Sequence, residues 1–190
     1  SDWSSDVCSS DLNLIPLGTL VRVLSHLLRE GVPIRDLRTI LETIADHAAT
    51  TKDADILTEV ARQALGRTIT KQYLAPDGSL PIIGLDPRLD RTLADQANAA
   101  GQGTQWVPDP LVAQKLLTAL KAAAERMVGR GHQPVILCSP SLRRHLRKLT
   151  DRILHSVPIL GLNEVESVTR LQAVETVRLD LEVGETRSLA

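Results

Sequence analysis

The sequence predicts a mixed α+β fold, a small helical subdomain followed by an α/β sandwich subdomain, and three observations carry that prediction. Within the first 75 residues, three stretches repeat apolar side chains at helical spacing and are joined by short connections, the pattern of a small helical unit. After Pro76-Asp77-Gly78 the period changes, and short apolar runs alternate with helical ones, the pattern of an α/β layer. The chain has 43% hydrophobic residues but no Phe and only 2% aromatics, so its core is built from Leu, Ile, Val and Ala.

Taken in order, residues 1–12 (SDWSSDVCSSDL) are Ser/Asp-rich and aperiodic, resemble a translated adapter, and are set apart as a non-native or disordered leader. The helical subdomain is expected over 13–75. Its first helix spans Leu17 to Glu30, with Leu17, Leu20, Leu24, Leu27 and Leu28 at helical spacing and Gly31 as its stop. The second runs from Val32 to Ala48, with Pro33 as first helical residue and Ile34, Leu37, Ile40, Leu41, Ile44, Ala45 and Ala48 as its stripe. Asp53 caps the third, which buries Leu57, Val60, Ala61, Ala64, Leu65 and Ile69.

The α/β subdomain is expected over 76–181. Leu80 to Leu85 reads as a strand, and Asp86-Pro87 opens a helix to about Ala99. Gly101 to Val107 is a loop. Asp109-Pro110 starts the longest helix of this half, with Val112, Leu116, Leu120, Ala123 and Met127 inward and Gly129 and Gly131 ending it. Pro134 to Cys138 is a strand. Ser139 and Pro140 supply N-cap and first turn of a helix to about Leu154, whose inner face is Leu142, Leu146, Leu149 and Ile153. Val157 to Leu162 and Leu171 to Leu179 are the remaining strands, and 182–190 is a mobile tail.

Composition excludes several functions. The net charge of −1 gives no global field toward nucleic acid or anionic lipid. Cys8 and Cys138 lie too far apart in sequence to suggest a disulfide framework or a metal site, which fits a reducing compartment. No stretch approaches a membrane span. The histidines, His26, His47, His132, His145 and His155, form no HExxH word, so no metal is expected; Gly101-Gln102-Gly103 is no dinucleotide fingerprint and no Walker lysine occurs, so no cofactor is expected. Cys138 and Ser139 with His145 sketch a nucleophile and base, but no acidic orienter has a recognisable place, and a buried strand thiol before a helix cap accounts for the same residues. Arg143, Arg144, Arg147, Lys148 and Arg152 read as the basic outer face of one helix: solvated, or a protein contact, with nucleic acid disfavoured because stacking aromatics are missing. Arg35, Arg38, Glu42 and Asp46 form a mixed-charge outer face on the second helix.

The exact wording adds to this. Pro33-Ile34-Arg35-Asp36, Thr39-Ile40-Leu41-Glu42-Thr43, Thr51-Lys52-Asp53 and Arg62-Gln63-Ala64-Leu65 resemble the C-terminal cytoplasmic region of the FlhA-like export-gate family of flagellar and virulence-type type III secretion systems. The resemblance covers most of the chain from about Leu14 to Asp180. It implies the last two of four cytoplasmic subdomains of a membrane protein at the inner face of the bacterial inner membrane, this part being soluble in the cytoplasm and making no direct membrane contact. It implies assembly as a homo-nonameric ring that receives export chaperones with cargo, the ATPase complex and its stalk protein, with no covalent chemistry. The flagellar branch is the closer in wording, the virulence-type branch its alternative. Arg35, Arg38, Glu42 and Asp46, with Arg143, Arg144 and Arg147, are then expected to meet neighbouring copies or partners. Leu14, Ile15, Leu17, Gly18 and Thr19 are expected to be the downstream edge of a chaperone dock, equally readable as the entry to the first helix. Because the dock belongs chiefly to the two preceding subdomains, this chain by itself is expected to bind chaperone–cargo weakly or not at all. An independent Cys138 hydrolase and a nucleic-acid module on the 140–154 helix are the rival readings.

Overall fold

The computed structural model describes residues 15–99, 106 and 108–179. The leader 1–12, the tail 182–190, Leu14 and, apart from Trp106, the loop expected from Gly101 to Val107 lie outside the described residues. The chain divides into two compact units, one holding residues up to 80 and 162–170, the other 81–161 and the residues from 171 on. The first unit therefore includes a segment, 162–170, that returns to it late in sequence. Among the described residues no helix is long and apolar enough to cross a membrane.

The helical unit contains α1 (Leu17–Arg29), α2 (Leu37–Ala48), α3 (Ala54–Ala64) and α4 (Gly66–Lys71). Helix α1 ends in a Schellman motif: the Val32 N–H donates to the Leu27 carbonyl at 2.9 Å and the Gly31 N–H to that of Leu28 at 3.0 Å, with Gly31 at φ 70°. Helix α3 packs against both α1 and α2, and Val23, Leu27, Ile40, Ile44, Leu57, Ala61, Leu65 and Ile69 are buried together at its centre.

Two expectations need correction here. Pro33 does not open α2: residues 32–36 are non-helical, and Asp36 is the N-cap, accepting the Thr39 N–H at 3.2 Å and its hydroxyl at 2.8 Å. The fixed φ of proline suits an extended approach as well as a first turn, so the carboxylate cap decides the boundary. The expected third helix is broken at Leu65 into α3 and α4, and Ala64 is exposed.

The sheet unit is built on β1 (Ser79–Leu85), β2 (Ile136–Cys138), β3 (Ile159–Gly161) and β4 (Arg170–Val177), in the order β3-β2-β1-β4. β1 pairs parallel to β2 (Ile83 with Ile136) and β2 parallel to β3 (Leu137 with Leu160). Parallel neighbours need crossovers. Helices α5 (Pro87–Ala99) and α6 (Pro110–Gly129) lie between β1 and β2, and α7 (Pro140–Thr150) between β2 and β3. Covered strands read as unbroken apolar runs, which is why Pro81-Ile82-Ile83 and Val135-Ile136-Leu137 are buried throughout. Leu93, Leu116, Leu120, Ala123, Met127, Leu142, Leu146 and Ile159 fill the core, which Trp106 joins edge-on to His145.

Helix α7 departs from expectation. It stops at Thr150, Ile153 is half exposed, and the Ser139 hydroxyl makes no cap bond. The Ser139 N–H donates instead to Asp90 Oδ1 at 3.0 Å. Its basic set divides: Arg143 and Arg147 are buried, Arg144 is half-buried, and Lys148, with Arg152 beyond the helix, is exposed. Arg147 binds the chain that follows α7, donating to the carbonyls of His155 at 3.0 Å and Val157 at 3.2 Å and pairing with Asp151 at 3.0 Å. Three oxygen partners make burial of a guanidinium tolerable.

Glu175 on β4 is gripped by Arg126 at 2.8 Å and Arg130 at 2.9 Å, both near the end of α6. The Arg126 hydrogen bond holds this carboxyl below its ordinary 4.5; burial opposes the shift, and the two guanidinium charges reinforce it. A folded-state value below the unfolded one means stabilisation that is fully present above pH 4.5 and lost as pH falls through the folded value. Denaturant unfolding of Glu175→Gln should therefore show a deficit against wild type that holds steady down to pH 4.5 and shrinks below it. A deficit unchanged into strong acid would contradict the assignment.

Candidate interaction surfaces

Helix α1 is apolar on two sides. Thr19, Val23 and Leu27 are buried in the unit, whereas Leu17, Val21 and Leu28 are 73%, 53% and 56% exposed. Spaced by four and seven, these three share one face with half-buried Leu24, a continuous apolar stripe on the surface. The leucines at helical spacing are thus divided between faces: Leu27 turns inward and Leu17 and Leu28 outward. Among the residues expected at a dock edge, Leu17 and Gly18 are exposed, Ile15 is partly buried, Thr19 is 3% exposed and faces the core, and Leu14 lies outside the described residues.

The mixed-charge set is on the surface. Arg35 sits in the lead-in to α2, and Arg38, Glu42 and Asp46 on its exposed face. Arg38 Nε donates to Glu42 Oε1 at 2.7 Å, and that hydrogen bond, before the charge, raises the guanidinium above its ordinary value. A pair this exposed is screened and contributes little to stability. The α7 set is not assembled into a surface: Arg144 is half-buried, donating to His145 Nε2 at 3.1 Å, while Arg143 and Arg147 point into the unit. Cys138 is 3% exposed, with its thiol 3.8 Å from the Leu160 carbonyl. It occupies the strand interior that its apolar neighbours predict.

What the sequence reading missed is a buried ionic clasp centred on Arg62. Its guanidinium, 2% exposed, donates to both carboxylate oxygens of Glu164 at 2.7 and 2.9 Å and to Glu30 at 3.1 Å. Glu164 is equally buried and Glu30 is 14% exposed. Glu30 follows α1, Arg62 lies on α3, and Glu164 ends the short 3-10 helix Leu162–Glu164. The backbone of Glu164 is seated too: its carbonyl accepts the Thr70 hydroxyl at 3.1 Å, and a Cβ at Gly66 would collide with that oxygen. Burial pushes the nearby Tyr73 hydroxyl above its usual 10.0, with Arg62 opposing and Glu164 and Glu30 adding to the shift. One signal for Arg62 was present: Thr58, Ala61, Arg62, Leu65, Gly66 and Ile69 follow helical spacing, so Arg62 falls inside an otherwise uncharged buried stripe.

A sequence profile described as the FHIPEP family matches residues 4–170. The flagellar biosynthesis protein FlhA of Salmonella typhimurium is 38% identical over 164 residues, covering 86% of this chain and 23% of that protein. A chain of the Chlamydia pneumoniae CdsV and CdsO complex superposes with a TM-score of 0.80 at 26% identity, covering 91% of this chain and 51% of that one. Nonameric EPEC SctV-C gives 0.76 at 28% identity, covering 88% and 50%. The chain thus spans about a quarter of the length of its curated relatives.

Removing Arg62 leaves two carboxylates without their shared cation. Arg62→Ala is expected to cost about 3–5 kcal/mol in denaturant unfolding. Gly66→Ala, which pushes on the Glu164 backbone, should raise amide exchange selectively across 162–170; unchanged exchange there would refute the clasp.

Proposed function

The chain belongs to the FHIPEP family of protein-export gates, and from that premise we propose that it is the C-terminal cytoplasmic part of a flagellar export-gate subunit. It acts as a docking platform within a ring and performs no covalent chemistry itself. The observation that carries this reading is the apolar stripe on α1, Leu17, Val21 and Leu28, held on the surface of a helix whose other side is fully used by the core. A stripe of that kind is a surface for association. The nonameric state of the SctV-C relative supports a second copy of the chain as its occupant.

The mixed-charge face of Arg35, Arg38, Glu42 and Asp46 then serves as the polar rim of a copy-to-copy contact, where charges set register rather than affinity. Arg144 remains available for a partner; Arg143 and Arg147 do not, because they are committed inside the sheet unit. The resemblance to a chain of the CdsV and CdsO complex supports a partner from the ATPase-stalk side of the apparatus. The exposure of Leu17 and Gly18 supports a share for them in the expected dock edge for export chaperones and their cargo. The higher identity to the Salmonella flagellar protein than to the two secretion-system structures favours the flagellar over the virulence-type branch.

Sedimentation velocity over a concentration series tests the ring reading. The 190-residue chain should form concentration-dependent higher species. The triple variant Leu17→Ser, Val21→Ser, Leu28→Ser should remain monomeric with an unchanged circular dichroism spectrum. Wild-type chain that stays monomeric at the highest concentration, or a variant that assembles equally well, would overturn it.

A further inference from the structure

The clasp builds a second surface. On the helical unit, a groove of about 220 Å³ is lined by Arg67, Thr70, Lys71, Leu74, Glu166 and Thr169. That is smaller than the several hundred Å³ in which small molecules and cofactors are enclosed. It is the size of one or two side chains of a peptide laid along the surface.

Its walls are fixed before anything binds. One is α4. The other is the turn after Glu164, closed by the Thr169 N–H donating to the Glu166 carbonyl at 2.9 Å and anchored through Glu164 to Arg62 and Thr70. Preorganised walls lower the ordering cost of a ligand. Arg67 and Lys71 stand four residues apart on α4, both exposed. Like charges at that spacing destabilise a helix, and these are poorly compensated: Arg67 is 3.6 Å from Glu166, and Lys71 makes no ion pair among the described residues. With Arg67 and Lys71 set against Glu166, the lining carries a formal excess of positive charge. Beside the cations, Leu74 is 38% exposed, and Val168, on the turn itself, is 85% exposed.

We propose that this groove docks an acidic peptide segment of a partner protein. One ligand carboxylate bridges Arg67 and Lys71, relieving their mutual repulsion, and an adjacent aliphatic side chain covers Leu74. The alternation of acid and aliphatic residue is what the arrangement selects. No α1 residue lines the groove, so the inference stands apart from the ring reading.

The test is fluorescence anisotropy of a labelled peptide, Glu-Glu-Leu-Glu-Glu, titrated with the full chain. Saturable binding is expected. Replacing the peptide leucine by serine, or reversing charge in the chain with Arg67→Glu and Lys71→Glu, should each weaken it about tenfold, the equivalent of one lost contact of about 1.4 kcal/mol. Arg38→Glu, equally exposed but outside the groove, should leave binding unchanged. Should the charge-reversed chain misfold, Arg67→Gln with Lys71→Gln decides in its place. Absence of saturable binding, an equal effect of Arg38→Glu, or indifference to the peptide leucine would overturn the proposal. So would oligomers of the chain that Arg67→Glu and Lys71→Glu disperse, because the occupant would then be a second copy.

Discussion

A single buried guanidinium organises the helical unit. Arg62 has water on no side, and its charge is tolerable only because Glu164 accepts from it in a two-pronged fork while Glu30 takes a third bond. Each partner comes from a different part of the chain, the residue after α1 and the end of a segment about a hundred positions later. An apolar side chain in place of Arg62 would pack, but it would not care which residue stood at 164. The ionic fork makes the return of 162–170 specific in register as well as in position. Gly66 and Thr70 finish the seat on the backbone side, so the same short segment is read three times by different chemistry.

The sheet unit rests on a different constraint. Two of its strands, β2 and β3, are only three residues long and buried at every position, so pairing alone could not hold them. Stability comes from the helices that cover them, with Leu116, Leu120 and Met127 of α6 and Leu142 and Leu146 of α7 supplying the apolar area. Polar groups inside are spent on joints. Arg147 closes the chain after α7 onto that helix, Asp90 receives the backbone N–H of Ser139, and Glu175 ties β4 to α6.

These differences explain what was legible in the sequence. Strands and helices of the sheet unit announce themselves by period and by Asp-Pro and Ser-Pro starts, because covered strands and capped helices are local properties. The alternation of layers follows from them, and so does the mixed α+β class. The start of α2 is misplaced from sequence because Pro33 suits an extended approach as well as a first turn, and the Asp36 cap shows only in its hydrogen bonds. The faces of α1 were blurred because leucines occupy both sides, and hydrophobicity alone does not say which side meets the core. The basic set of α7 is hard to read for a related reason: helical spacing sets Arg143 and Arg147 beside the leucines but does not say what else packs there, and for Arg147 it is the chain after the helix. The clasp was hidden most deeply, since nothing local to Glu164 says that its partner lies at position 62.

Function in such a chain is written in what the fold leaves uncovered. Cys138 is interior, and Arg62, Arg143 and Arg147 are buried. Outward on the helical unit, besides the mixed-charge face of α2, are an apolar stripe on α1 and a shallow groove where α4 presents cations beside Leu74. Neither has the depth to hold a small substrate. Both have the chemistry of polypeptide contacts, one suited to the neighbouring copy proposed for a ring and the other to the acidic segment proposed above. Two such surfaces on a clasped scaffold are the features on which the proposed docking role rests.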